Sequence, residues 1–223
     1  MEDRLYIFDT DELTDPEVFG RCLQRMPAYR RDKVSAYRFG RDKRLSLGAG
    51  MLLEDFVCSV TGTNDILTEP EGRPYLAAAP GVHFNLSHSG HYAVLAVSDR
   101  PVGVDIELTH HFDDSLARFV YTDSEIEAAV AGFERDAALT RLWTVKESVM
   151  KQLGTGMALA PKQVTVIQRH PARVRAEGFD CSALRFTEYH TPEYALTVCS
   201  EHEPFAPLLT AHLGSGGILS AAE

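Results

Sequence analysis

The chain has 223 residues, 44% of them hydrophobic and 24% charged, a globular composition that excludes a disordered, collagen-like or low-complexity protein. A net charge of −10 makes it a poor general binder of nucleic acid. Its longest apolar stretches fall far short of the ~20 residues that span a bilayer, so no membrane partner is expected.

Residues 4–9, RLYIFD, have the aromatic and β-branched content of a first strand. The start, MEDRLYIFDT, is acidic and lacks the layout of a secretory leader. Cys22, Cys58, Cys181 and Cys199 have no CxxC spacing, so a cytoplasmic chain without zinc or disulfides is expected. Residues 15–38 predict two helices divided by Pro27. Nine of the 22 Lys and Arg fall between Arg21 and Arg44, opposed there only by Asp32 and Asp42. Such an island is either a solvated helix face or a seat for a small polyanion.

Residues 42–60 predict a long helix, and 61–65 a loop. Gly72, Pro74, Pro80 and Gly81 punctuate short strands and turns. A run of strands follows over 83–107, turning at Gly90 and between Asp99 and Pro101. Helices are predicted over 115–121, 124–133 and 136–153, with Thr122 or Ser124 as a cap and Gly154 as a stop. Strands return over 163–199, and the Gly/Ser-rich residues 212–223 read as a flexible tail.

Residues 83–99 align without a gap on 185–201, with five of seventeen positions identical: Phe84/Phe186, His88/His190, Tyr92/Tyr194, Ala93/Ala195 and Ser98/Ser200. Two unrelated hairpins match this well by chance. Alternatively the chain is two similar α+β halves of roughly 100 residues each, with a ligand groove between them.

Four segments offer chemistry. In GVDIE, Asp105 and Glu107 are two apart on a predicted strand and share a face. They are either the polar face of an edge strand or a pair of hard oxygen ligands of the kind that suits Mg²⁺. In WTVKESVMKQLGTGM, helical spacing puts Trp143, Glu147 and Lys151 on one stripe beside Lys146. That stripe is a surface ion pair with a core tryptophan, or a third carboxylate flanked by phosphate-binding lysines. FNLSHSG offers Ser87 and His88. No GxSxG elbow supports a hydrolase nucleophile, so a phosphate contact or a structural loop remains. EGRPYL places one cation, Arg73, on a rigid turn.

In their order and spacing, GRP, FNLSHSG, GVDIE and WTVKESVMKQLGTGM resemble the 4′-phosphopantetheinyl transferase superfamily, in its two-lobed type that activates surfactin synthetase. The resemblance covers roughly residues 28–166. It implies an α+β fold of two similar subdomains in a pseudo-twofold arrangement, with residues 1–104 as the N-terminal one, 105–211 as the C-terminal one and 212–223 as the tail. It implies Mg²⁺-dependent transfer of the phosphopantetheine arm of coenzyme A to a serine of an apo acyl or peptidyl carrier protein, by a monomer. Asp105, Glu107 and Glu147 match the family's metal-site carboxylates. Glu147, or Glu125 through a water, matches the position of the base, and Lys151 the lysine near the pyrophosphate. Lys146 sits at the lysine of the family's KE pair and is expected to bind the cofactor. Arg44, Arg73, Ser87 and His88 match the nucleotide-end contacts, and Arg30 and Lys33 the N-terminal basic pair. Two departures stand out: arginine replaces the usual lysine at Arg73, and Arg44 aligns only across a one-residue gap.

Phe112, Phe119, Ile126 and Phe133 are candidates for a carrier-docking patch, with at least half of them expected in the core. Two rival readings follow from the same residues. One is a non-catalytic relative that binds coenzyme A or a carrier, against which the intact Asp105, Glu107, Glu147 and Lys151 argue. The other is a different Mg²⁺-dependent phosphate-handling enzyme.

Overall fold

The computed structural model describes residues 2–131, 134–169, 171–202 and 204–222. β1 (Arg4–Asp9) leads to α1 (Pro16–Arg25), whose N-cap Asp15 accepts from the amides of Glu17 and Val18. Pro27 separates α1 from α2 (Ala28–Ala36). α3 (Gly40–Leu53) continues through a π-helical turn, Glu54–Cys58, into the single turn α4 (Ser59–Thr61). A small hairpin, β2 (Ile66–Thr68) and β3 (Pro74–Leu76), precedes β4 (His83–Ser89), β5 (Tyr92–Ser98) and β6 (Gly103–Leu108). Three helices follow: α5 (Asp114–Val120), α6 (Asp123–Val130) and α7 (Arg135–Leu153). The chain ends in β7 (Val164–Arg169), β8 (Ala172–Ala176), β9 (Arg185–His190), β10 (Tyr194–Ser200), β11 (Leu208–Leu213) and β12 (Leu219–Ala222). Among the described residues no helix is long and apolar enough to cross a membrane.

The strands form a five-stranded sheet, β12-β11-β1-β5-β4, a three-stranded sheet, β6-β10-β9, and two small hairpins, β2-β3 and β7-β8. The alignment of 83–99 on 185–201 carries one hairpin ladder onto the other. His83 opposite Ser98 becomes Arg185 opposite Ser200, and His88 opposite Ala93 becomes His190 opposite Ala195. β1 pairs antiparallel with β5 as β6 pairs with β10, and a long helix, α3 or α7, intervenes before each hairpin. The matching residues therefore sit at equivalent places in a repeated strand–helix–hairpin order.

Each sheet has two apolar faces. Leu5, Ile7, Val94 and Ala96 of one sheet pack with Val104, Ile106, Leu196 and Val198 of the other in a single buried cluster. Each such Leu, Ile or Val contributes roughly 1.5–3 kcal/mol by leaving water. On the opposite faces, Leu47 and Met51 of α3 join Phe8 and Leu95, while Val145 and Val149 of α7 join Phe186 and Cys199. This sheet-to-sheet contact holds β4 beside β6, where the candidate site lies.

The end of the chain departs from expectation. Of the expected tail 212–223, the described residues 212–222 are not loose: β11 pairs parallel with β1, and β12 returns antiparallel to β11. Leu219 is buried, and its amide donates to Asp55 Oδ2 at 2.9 Å. Gly/Ser composition reports local freedom, and an available sheet edge overrides it. The expected division between 104 and 105 falls inside β6, and β11 returns the chain to the first sheet. Among the aromatic patch candidates, Phe112 is buried, Ile126 packs against the same cluster and Phe119 is exposed. Phe133, with Gly132 the end of the predicted 124–133 helix, lies outside the described residues.

Candidate active site

β4 and β6 belong to different sheets, and alternate polar side chains of β4 bridge them. Asn85 Oδ1 accepts from the Val104 amide at 3.0 Å. Ser87 Oγ donates to Asp105 Oδ1, and Ser89 Oγ donates to Glu107 Oε2, each at 2.7 Å. Ser89 Oγ also accepts from the Leu108 amide at 3.2 Å. Strand alternation explains the pattern: residues 85, 87 and 89 face the seam, and His88 turns away and stays exposed. Sequence reasoning missed Asn85 and Ser89. The signal for them was the polar period of two in FNLSHS, set beside a strand with acidic alternate positions.

α7 lies directly on β6. A Cβ at Gly103 would stand 2.0 Å from the Ser148 carbonyl oxygen and 2.5 Å from the Gln152 nitrogen, so glycine alone permits this approach. The approach brings Lys151 Nζ to Asp105 Oδ1 at 2.7 Å, to Ser87 Oγ at 3.0 Å and to the Val104 carbonyl at 3.1 Å. Asp105 is 2% exposed, and its Oδ2 is buried without a hydrogen-bond partner. Glu147, one helical turn before Lys151, is pushed up to about 7 by burial and then by Asp105, against the pull of Lys151. Glu107 is raised by burial and by Asp105, with hydrogen bonds from Ser89 and Trp143 opposing the shift. The three carboxylates thus share one electrostatic neighbourhood, with Lys151 set against Asp105. They do not draw three ligand atoms within 4.8 Å of one another; among the described residues only Asp3, Asp99 and His202 do so. The expected metal shell is therefore not closed around the side chains as they stand.

The expected cations divide into two groups. Desolvation of its ring lowers the His88 pKa, and Lys151 and Lys33 lower it further, so a neutral imidazole stands beside two ammonium groups next to the carboxylates. Burial and Arg30 likewise lower Lys33. The other cations are engaged within the protein. Arg30 is buried against Gly50 and lies over the Tyr29 ring. Arg44 pairs with Asp11 at 3.3 Å, its Nε buried and unpartnered. Arg73 forks onto Glu69 at 2.8 and 3.0 Å and donates to the Gln152 carbonyl at 3.3 Å. That last bond ties the β2–β3 hairpin to the end of α7. There Gly154 adopts φ +70°, and the Arg73 guanidinium lies 2.9 Å from where a Cβ would stand. Ser87 is buried and engaged by Asp105 and Lys151, so it holds the seam and does not face an open phosphate site.

Comparison with known proteins gives the class of this arrangement. Residues 101–199 match the family model of the 4′-phosphopantetheinyl transferase superfamily, and residues 14–100 that of a 4′-phosphopantetheinyl transferase N-terminal domain. The chain belongs to the 4′-phosphopantetheinyl transferase superfamily. It is 28% identical over 194 residues to a 4′-phosphopantetheinyl transferase of Bacillus subtilis, covering 83% of this chain and 86% of that one. It is 26% identical over 223 residues to the Bacillus subtilis 4′-phosphopantetheinyl transferase ffp, covering 93% and 96%. A third relative, 4′-phosphopantetheinyl transferase psf-1 of Bacillus pumilus, is 34% identical over 137 residues, covering 60% and 59%. The enzyme class is phosphopantetheinyl transfer.

In this phosphopantetheinyl transferase, two residues expected in the cleft stand elsewhere. Lys146 and Glu125 pair with each other at 2.9 Å, with side chains 0% and 3% exposed. Lys146 Nζ also donates to the carbonyls of Val164 at 2.6 Å, Pro161 at 3.2 Å and Val120 at 3.3 Å. Glu125 accepts from the amides of Thr122 and Val166, each at 2.9 Å. The pair is sealed and satisfied. Neither residue offers an atom to a cofactor or to a carrier serine, which corrects the base role expected for Glu125 and the cofactor role expected for Lys146. Adjacency misleads here because a helix turns about 100° per residue, so Lys146 and Glu147 point in different directions.

Proposed function

We propose that the chain transfers the 4′-phosphopantetheinyl group of coenzyme A to a serine hydroxyl of an apo acyl or peptidyl carrier protein and releases adenosine 3′,5′-bisphosphate. It works as a cytoplasmic monomer of two similar halves in pseudo-twofold relation, residues 1–104 and 105–211 in the reading from sequence. The observation that carries the reading is the buried Asp105, whose Oδ2 has no partner, in a group with Glu107, Glu147 and Lys151. An orphaned buried carboxylate oxygen is costly unless a cation meets it. Three hard oxygen donors suit Mg²⁺, and Asp105, Glu107 and Glu147 would hold it. When bound, Mg²⁺ supplies charge neutralisation at the diphosphate of coenzyme A.

The chain's own residues do the rest. Lys151 offers an ammonium at the seam and turns from Asp105 to a diphosphate oxygen. Lys33 extends the positive field toward the nucleotide end of coenzyme A, and the neutral His88 ring offers a hydrogen bond there. The serine oxygen bonds to the phosphorus that carries the pantetheine arm, and the bond from that phosphorus to the adenosine bisphosphate breaks. With Glu125 sealed by Lys146, Glu147 is the carboxylate left to take the serine proton.

Mass spectrometry tests the reading. An apo carrier incubated with coenzyme A, Mg²⁺ and this protein gains the mass of the phosphopantetheine arm. Asp105→Ala stays folded and loses at least ~100-fold in rate. No mass gain on any of a panel of acyl and peptidyl carriers, or phosphate release without an acceptor, overturns it.

A further inference from the structure

Away from the cleft, a groove of about 500 Å³ separates β8 from β9. Residues 171–175 form one wall, and 184–186 the other. Among the described residues β8 pairs only with β7, and β9 only with β10. Both strands therefore end their sheets, and the connecting turn folds back on β8 only at its last residue, where Ala176 bridges Phe179 among the described residues. Such edges are templates for another strand.

The side chains add a charge preference. Arg173 and Arg175 are exposed and alternate on one face of β8, with Val174 buried between them. Among the described residues neither has an ion-pair partner. Arg185, on the other wall, donates among the described residues only to the carbonyls of Ser182 and Leu184. Among the described lining residues the one carboxylate, Asp180, accepts from the Ser182 amide at 2.9 Å. Three guanidiniums thus converge on one groove of a chain whose net charge is −10. Ile167 and Phe179 are 56% and 42% exposed and give the groove an apolar floor.

The geometry points to strand addition by an acidic, extended peptide segment of a partner protein. Backbone hydrogen bonds to the edge of β8 or β9 supply the affinity. Carboxylates two residues apart lie opposite Arg173 and Arg175, and the intervening apolar side chains turn to the other face, on the side of Val174. This inference does not depend on the transfer reaction.

The test uses the full chain and a fluorescein-labelled peptide of alternating Glu and Val, read by anisotropy in ~50 mM salt. The Glu-Val peptide binds. A Lys-Val peptide, or a Glu-Val peptide interrupted by proline, binds at least ~10-fold more weakly. The Arg173→Glu/Arg175→Glu variant loses at least ~10-fold in affinity and keeps its thermal midpoint and transfer rate. On binding, hydrogen exchange slows at the amides of β8 or β9. The proposal is overturned by equal binding of the Lys-Val or proline peptide, or by unchanged affinity in the double variant. Protection elsewhere, or no binding at ~1 mM peptide, also overturns it.

Discussion

Glu147 shows how one side chain is tuned by its surroundings. An unfolded glutamate ionises near ~4.3, whereas Glu147 in the fold is held up at about 7 by burial and by Asp105. Between those values the native state binds more protons than the unfolded state, so stability falls as pH rises, and the full penalty stands above pH 7. Glu147→Gln removes it. In metal-free buffer the variant should be more stable than the parent at pH 8, by ~1–3 kcal/mol, with the difference vanishing near pH 4. Urea unfolding at the two pH values reads this directly, and parallel curves would refute it. The carboxylates were legible because the strand period puts Asp105 and Glu107 on one face and helical spacing aligns Glu147 with Lys151. The roles of Ser87, Asn85 and Ser89 were not, because a serine that bridges two strands and one that binds phosphate look alike in sequence.

At the level of elements, two contacts hold α7 in place. One is the absent side chain at Gly103. Because the Ser148 and Gln152 atoms that a methyl would strike are backbone, they cannot rotate away, and Gly103→Ala must lift the helix. The expected loss is ~1–3 kcal/mol, with a fall in transfer as Lys151 leaves Asp105; an unchanged unfolding midpoint would contradict the packing. The other is the Lys146–Glu125 pair, which fastens α7 to α6 and, through the Val164 carbonyl and Val166 amide, to β7. Removing one partner leaves a buried charge uncompensated, so Lys146→Met costs ~3–5 kcal/mol, and adding Glu125→Leu recovers part of it. Glu125→Gln separates the two roles. It should lower stability while the rate per folded molecule is kept, whereas a catalytic base would show the reverse. The helix itself was legible from its Ala, Leu, Lys and Glu content and the Gly154 stop, but the direction of each side chain was not.

For the molecule as a whole, the chain's end closes the first sheet. Leu5 lies opposite Leu208, and Asp55 accepts from the Leu219 amide while pairing with Arg25 at 2.5 Å. Deleting residues 214–223 removes β12, the burial of Leu219 and one partner of Asp55. The expected cost is ~2–4 kcal/mol, read as a lowered thermal midpoint; a truncated chain that melts like the parent would mean the segment is a tail after all. The contact between the two sheets is decided at the same scale. It lays β4 beside β6 and so assembles the seam from two motifs that are separate in sequence.

Sequence alone determined the elements and their order: β1, the helices either side of Pro27, the long α3, the hairpin over 83–98, and α7 ending at Gly154. It also determined the carboxylates and cations available and the family that their motifs resemble. These are carried by periodicity, caps and breakers, whose partners lie a few residues apart along the chain. The tertiary structure decided that Glu147 is buried within the field of Asp105 while Lys146 is sealed with Glu125, that Ser87 and Ser89 join two sheets, and that the last strand is paired. Those outcomes depend on burial and hydrogen-bond partners supplied by distant segments, and one residue of helical rotation or one available sheet edge reverses the local expectation.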